Sequence, residues 1–360
     1  MKVFLDATVM QQPATGVAKA TLGLYNQCLK NMPQLQVSAL HRQPLQCELP
    51  PSIESVQCGS YLSSSAWKKF YLPVCVALRE VDVVHFPWNG GVPKGLSNTK
   101  VVTTLHDVLP LVIPGCFKSE RDEDAYRKRV QRDIDRTDLI ITISEYSKNE
   151  ITRNFTVKND LVVIPHGPTV CSANDERYSE KEHRGNYFIY VGGYDMRKGI
   201  DKLVNTFIAL HRDGRLSSKL VLCGSRNYYS AEFKRLIDKG IHQGIIEEKG
   251  YISDQELAKL LTSATALIYP SKYEGFGLPP LEAMTLGCPV ITTKFTAVPE
   301  VCGDAAFYIN PDDEKDFSRG ILALQNDREL RLTLRAKGYI QANRFTWEAA
   351  AKRFLQSIVD

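Results

Sequence analysis

No apolar stretch in this chain of 360 residues approaches the roughly 20 residues a membrane-spanning helix needs. The most apolar runs, Leu72 to Leu78 and Ala264 to Tyr269, are far shorter. A signal-peptide pattern is also missing. Met1-Lys2-Val3-Phe4-Leu5-Asp6 leads straight into a strand-like run with no h-region or small-residue cleavage site, so export is not expected. Charge of one sign is scarce: 45 Lys+Arg against 41 Asp+Glu leaves +4, too little over this length to imply nucleic-acid binding, though room remains for a local patch facing an anionic surface. The nine cysteines are an odd number without a C-x-x-C pair or metal-ligand spacing, and read as buried thiols in a reducing, cytoplasmic compartment. Neither G-x-G-x-x-G nor a Walker loop occurs, which disfavours nicotinamide and ATP sites. There is no G-x-S-x-G elbow and no closely spaced histidine pair, so hydrolase and zinc-enzyme readings lack parts.

What is present is ordinary globular material, 43% apolar and 24% charged. The length exceeds what one core usually serves and predicts two domains with a cleft between them. Short β-branched runs separated by amphipathic segments predict strands at Lys2 to Thr8, Gln36 to Leu40, Val81 to Phe86, Lys100 to Leu105, Asp138 to Ile143 and Leu161 to Ile164. Helices are expected at Thr15 to Leu29 and Ser119 to Arg136. A polar stretch then reads as a linker over 168–186. The alternation restarts at Tyr187 to Val191 and continues at Lys219 to Cys223, Ile245 to Lys249, Ala266 to Tyr269, Pro289 to Thr293 and Phe307 to Ile309. Ser253-Asp254-Gln255-Glu256 fits a capping box, and Pro279-Pro280 marks a further helix start. The rhythm implies two doubly wound α/β domains, 1–167 and 187–344, and a final helix over 345–360.

Chemistry concentrates at a few strand-to-helix turns. In Tyr273-Glu274-Gly275-Phe276-Gly277-Leu278-Pro279-Pro280-Leu281-Glu282, the glycines let a ligand approach the backbone, and the helix start favours an anion. Glu274 and Glu282 suit sugar or ribose hydroxyls beside a diphosphate; a plain turn with a helix-dipole glutamate is the alternative. Val191-Gly192-Gly193-Tyr194-Asp195-Met196-Arg197-Lys198-Gly199 places two cations beyond a strand's carboxyl end, where doubly wound sheets bind ligands. His106-Asp107 ends a buried strand, Gly16 opens a turn before the first helix, and Ser144-Glu145-Tyr146-Ser147-Lys148 supplies an N-cap after the fifth strand. Asp122-Glu123-Asp124 and Asp133-Ile134-Asp135 match a D-x-D metal-diphosphate spacing but fall on a charged helix, whose solvated face explains them better.

This succession, His106-Asp107, Arg197-Lys198, Glu274-Gly275-Phe276-Gly277-Leu278 and Glu282, resembles the retaining glycosyltransferases of family four, whose fold is called GT-B, along nearly the whole chain. The resemblance implies two facing Rossmann-like domains, with the acceptor on the first and a nucleotide-sugar on the second. It implies that Glu274 contacts the transferred sugar, Glu282 the ribose, Arg197 and Lys198 the diphosphate, and His106 the donor sugar near the reacting centre. Gly16 would lie over the phosphates, with Gly193 in the donor loop, and Lys249-Gly250-Tyr251-Ile252-Ser253 would meet the nucleobase through its backbone. The final helix would cross back to the first domain. No metal or cofactor is called for. The expected activity is hexosyl transfer, with mannose from GDP-mannose the first expectation and a UDP-hexose behind it, to a glycan or lipid-linked saccharide in cell-surface polysaccharide synthesis. A nucleotide-sugar epimerase of the same fold and a non-catalytic sugar-nucleotide binder are the alternatives. Trp67-Lys68-Lys69-Phe70-Tyr71 mixes cations with aromatics in a pattern that suits peripheral contact with an anionic membrane, and equally the start of an ordinary amphipathic helix.

Overall fold

The computed structural model describes residues 1–12, 16–96, 98–170, 185–225 and 230–359. It divides into two units, Met1–Gly167 with Thr346–Asp360, and Pro168–Phe345. Most of the expected linker, 171–184, lies outside the described residues.

The first unit is a parallel seven-stranded sheet: β1 (Lys2–Asp6), β2 (Gln36–His41), β3 (Ile53–Gln57), β4 (Val83–Phe86), β5 (Lys100–Thr104), β6 (Leu139–Thr142) and β7 (Asp160–Val163), in the order β3-β2-β1-β4-β5-β6-β7. The central strands β4 and β6 are buried at every position, as strands covered on both faces must be, which is why they read as unbroken apolar runs. Strand β3 was not signalled by sequence, because at this sheet edge only Ile53 is fully buried and the remainder is polar or partly exposed. The first strand is shorter than expected: Asp6 Oδ1 accepts the Thr8 N–H at 3.0 Å and turns the chain into a 3-10 turn, Ala7–Gln11.

The last helix, Trp347–Val359, packs on the helix Gly16–Asn31 of the same unit. A Cβ on Gly23 would stand 2.6 Å from the Trp347 ring, so glycine allows the close approach. Tyr25 meets Phe354 edge-on at 5.7 Å. The helix Glu120–Ile134 with its C-cap Asp135 carries the D-x-D spacings. Asp133 is not on a solvated face, contrary to expectation: it is buried, and its two oxygens accept the N–H groups of Gly91 and Val92.

The second unit is a parallel six-stranded sheet: β8 (Tyr187–Val191), β9 (Lys219–Cys223), β10 (Ile246–Gly250), β11 (Leu267–Tyr269), β12 (Val290–Thr292) and β13 (Ala306–Tyr308), in the order β10-β9-β8-β11-β12-β13. Its core packs Phe188, Phe207, Phe233, Ile237 and Phe317 around these strands. The N-cap half of the expected capping box forms, Ser253 Oγ accepting the Glu256 N–H at 3.2 Å to start the helix Asp254–Ser263.

The cysteine reading needs one correction. The eight described cysteines are free thiols, but Cys116 is exposed and Cys47, Cys58 and Cys75 are half-buried.

Candidate active site

In an open parallel sheet, a ligand crevice forms beyond the strand ends where strand order reverses. In the second unit this reversal lies between β8 and β11, and the loops leaving those two strands are the ones that sequence singled out. After β8, Asp195 Oδ1 accepts the Arg197 N–H at 3.0 Å and caps a short turn, Met196–Lys198. Gly199 closes it at φ +65°, with its Cβ direction only 2.7 Å from the Pro270 carbonyl, so both conformation and space demand glycine. Lys272 N–H then donates to the Arg197 carbonyl at 2.9 Å, tying this loop to the one after β11. Tyr190 OH donates to the Gly193 carbonyl at 2.8 Å, fixing the start of the β8 loop.

These ties bring Arg197, Lys198 and Glu274 into contact. Glu274 Oε1 accepts from Lys198 Nζ at 2.5 Å, from Ser271 Oγ at 2.5 Å and from an Arg197 N–H at 3.5 Å. Arg197 also donates to the Tyr273 carbonyl at 2.7 Å, and Lys198 to Tyr269 OH at 2.9 Å. Glu274 N–H donates to Thr296 Oγ1 at 3.0 Å. Burial pushes the Glu274 carboxyl up, but Lys198 and Arg197 outweigh it and hold the group below the ordinary carboxylate range. Burial acts on Lys198 in the opposite sense, and with Arg197 beside it the ammonium lies below the ordinary lysine value despite Glu274.

The helix Leu278–Thr285 follows, with Gly277 at φ +125° ahead of it. Pro279 and Pro280 have no N–H, so the amides this helix end can offer an anion are confined to the residues before Pro279. Glu282 is buried on this helix and accepts from Thr169 Oγ1. Phe276 is buried edge-on against Phe345, with ring centroids 5.8 Å apart. Ile252 is half-buried just beyond β10.

Two expected residues lie in the first unit. Gly16 opens the helix Gly16–Asn31; Pro13, Ala14 and Thr15 of that loop are outside the described residues. His106 is buried, donates from Nε2 to the Pro87 carbonyl at 2.9 Å, and stacks obliquely against His166 at 5.5 Å. Burial lowers its pKa, so the imidazole is neutral near pH 7. Sequence reasoning missed Ser271, Tyr269, Thr296 and Thr169. Ser271 alone carried a signal, standing three residues before Glu274 in the same loop.

The membrane-suited run is corrected in part. Trp67 is wholly buried, its indole N–H donating to the Cys58 carbonyl at 2.9 Å, and Lys68 is ion-paired with Asp6 at 3.1 Å. The exposed apolar side chains of the helical run 64–78 are instead Phe70, Val74 and Leu78, at 63%, 55% and 79% exposure on one face.

Comparison with known proteins matches the model "Glycosyl transferases group 1" over residues 172–341 and "Glycosyltransferase Family 4" over residues 42–168. The O-antigen chain mannosyltransferase B of Escherichia coli is 33% identical over 283 residues, covering 76% of this chain and 73% of that protein. Among solved structures, sucrose-phosphate synthase from Thermosynechococcus elongatus aligns with a TM-score of 0.76 at 19% identity over 99% of this chain and 98% of that one. Anabaena HepE in complex with UDP and glucose aligns with a TM-score of 0.71 at 15% identity over 100% and 99%. The fold is therefore GT-B, as expected from sequence. One model falls in each half and the bacterial relative spans most of both, so the chain belongs to the group 1 glycosyltransferases of family 4.

Proposed function

We propose that this chain is a retaining, metal-independent mannosyltransferase that moves mannose from GDP-mannose to a glycan or lipid-linked saccharide during synthesis of a cell-surface polysaccharide. The convergence of Arg197, Lys198 and Glu274 at the strand-order reversal of the second sheet carries this reading. A nucleotide-sugar breaks at its anomeric carbon by losing a nucleoside diphosphate, so the catalyst must chiefly stabilise departing negative charge. Arg197 and Lys198 supply that stabilisation, with the loop amides before Pro279. Glu274, pinned through Oε1 by two cations, is a poor nucleophile; its Oε2 accepts from a donor-sugar hydroxyl, and the acceptor attacks on the face from which the diphosphate leaves. Glu282 binds the ribose, the Lys249–Ser253 backbone meets the base, and His106, neutral and held by Pro87, contacts the sugar without moving a proton.

Mannose as the transferred sugar draws support from the name of the Escherichia coli relative, and a UDP-hexose, suggested by HepE, is the second donor to try. Among the described residues no helix is long and apolar enough to cross a membrane. We place the enzyme in the cytoplasm, with Phe70, Val74 and Leu78 resting on an anionic membrane beside Lys69, which the chain would bind as vesicles containing phosphatidylglycerol and not as neutral ones.

The deciding experiment is a thermal-shift panel of GDP, UDP and dTDP, followed by mass and NMR analysis of donor cleavage in the presence of EDTA. Ligand at 100 times its dissociation constant adds roughly 2.7 kcal/mol of stability. The expected result is a shift with GDP, then an α-linked mannosyl product formed at an EDTA-insensitive rate. An epimerised nucleotide-sugar without released nucleoside diphosphate would overturn the reading.

A further inference from the structure

The first sheet has its own reversal of strand order, between β1 and β4, and charged and aromatic side chains gather there as well. Asp6 ends β1, and Pro87-Trp88-Asn89-Gly90-Gly91 leaves β4. Lys68 reaches in from the helical run 64–78: its Nζ is 3.1 Å from Asp6 Oδ2, 4.6 Å from the centre of the Trp88 ring and 3.4 Å from the Gly90 carbonyl. The loop around Trp88 is held from several sides. Gly90 and Gly91 take φ +121° and +96°, and a Cβ on Gly91 would come within 2.7 Å of Lys68 Nζ. Asp133 receives the Gly91 and Val92 N–H groups at 3.0 and 3.2 Å. Asn89 accepts the His106 N–H at 2.8 Å and donates to the Asp107 carbonyl at 2.7 Å. In this rigid setting the Trp88 indole N–H is buried and has no acceptor among the described residues, a condition rare enough in native proteins to need a reason.

We infer that the Asp6-Lys68-Trp88 cluster is a subsite for a neutral sugar ring of the acceptor, with a ring hydroxyl accepting from the Trp88 indole N–H and from Lys68. The inference rests on the reading of the chain as a transferase and names where the first unit recognises its substrate. Charge decides the ligand class. Asp6 and Lys68 cancel, and Asp6 Oδ1 is already engaged by Thr8 N–H and Oγ1 at 3.0 and 2.6 Å, so the site offers hydroxyl-directed donors without the net positive charge that a phosphate would require. A desolvated ion pair adds little to stability, and its position beside an aromatic ring and an orphan donor suits recognition of a polyol.

The test uses the full chain labelled with 5-fluorotryptophan. Its three tryptophans give three fluorine resonances, assigned with the Trp67→Phe, Trp88→Phe and Trp347→Phe variants. Methyl glycosides of mannose, glucose, galactose and N-acetylglucosamine, inorganic phosphate, GDP and UDP are each titrated in. At least one glycoside should move the Trp88 resonance saturably, while inorganic phosphate leaves it in place. In transfer assays, Trp88→Phe, which keeps a ring and removes the N–H, should raise the acceptor KM about tenfold, corresponding to one lost hydrogen bond to a buried donor, with the nucleotide dissociation constant unchanged. If a nucleotide binds and no glycoside moves Trp88, or if phosphate moves it, the subsite is wrong. If glycosides move Trp88 and no nucleotide binds, the subsite stands and the transferase reading falls. A merely structural Trp88 would show itself as an unchanged acceptor KM together with a lowered thermal midpoint.

Discussion

The two sheets reverse strand order once each, and the side chains gathered at the two reversals differ in charge. In the second unit the half-buried Arg197 and Lys198 face the half-buried Glu274, and the remaining partner, Asp195 at 3.4 Å from Arg197 Nε, is exposed, so positive charge exceeds negative only among the half-buried side chains. In the first, the Lys68–Asp6 pair cancels, and the nearby His85, His106 and His166 are buried with pKa values lowered by that burial, so they carry no charge near pH 7. On the proposed function, the charged reversal would take the diphosphate and the neutral one the acceptor's hydroxyls. Removing charge should therefore disable the second unit's function, and adding charge should disrupt the first.

The largest effect is expected from Lys198→Met. On the proposed mechanism it removes a preorganised cation from the departing diphosphate, and it leaves Arg197 as the cation on Glu274. Loss of one such group costs on the order of 3 kcal/mol of barrier, about a hundredfold in kcat/KM. Retention of wild-type kcat/KM, measured with saturating acceptor, would mean that the excess charge at the second reversal is not catalytic.

The comparison also predicts where acid opens the molecule. Burial lowers the His85 pKa from 6.5 to about 3, while Tyr25 OH and Thr104 Oγ1 bond its two ring nitrogens at 2.9 and 2.8 Å. Between those two values the unfolded chain binds more protons at this residue than the folded one. Stability is thus fully present above pH 6.5 and is lost as pH falls, by about 1.4 kcal/mol per pH unit for this histidine alone. Glu274 contributes in the same direction only below the ordinary carboxylate range. All three tryptophans, Trp67, Trp88 and Trp347, belong to the first unit. Their emission should change at a higher pH than that at which nucleotide binding by the second unit is lost, and the reverse order would break the contrast.

A smaller effect is expected at Glu282. Its carboxylate is buried and accepts from Thr169 Oγ1, and Glu282→Gln keeps the volume while weakening its capacity to accept ribose hydroxyls. A loss of about 1 kcal/mol, several-fold in the dissociation constant of GDP measured by calorimetry, follows from one weakened hydrogen bond. Equal weakening of GDP and free guanine would place Glu282 away from the ribose.

Much of this contrast was legible in sequence on one side and little on the other. Strands β8 to β13 and the loops bearing Arg197, Lys198 and Glu274 stood out because buried parallel strands read as apolar runs and glycine-rich turns mark their ends. The first unit's reversal was hidden. Lys68 is far from Asp6 and Trp88 along the chain, its neighbour Trp67 sits in a run that suited a membrane surface and an ordinary amphipathic helix equally and is core, and Asp133, which the sequence places on a charged helix, is buried where it accepts two loop N–H groups. Sequence announces a site whose residues share a loop with glycines; it does not announce one assembled from a helix, a strand end and a turn brought together only by the fold.

The subtlest test concerns Lys198 at high pH. Burial and Arg197 lower its pKa below the ordinary lysine value of 10.5, so as pH rises the second reversal loses its excess charge earlier than an exposed lysine would. Diphosphate binding opposes this, because an anion stabilises the ammonium, and the free enzyme is therefore the more alkali-sensitive form. It follows that kcat/KM for the donor, which reports the free enzyme, should fall at a lower pH than kcat does. Lys198→Arg removes the titrating group, since a guanidinium stays charged through this range. Its donor kcat/KM should lie within about tenfold of wild type at pH 7, the difference reflecting a guanidinium placed where one ammonium bonds both Glu274 and Tyr269. Its alkaline limb should be absent. A limb that persists unchanged in Lys198→Arg would assign the titration to another group and leave Arg197 as the cation that holds the diphosphate.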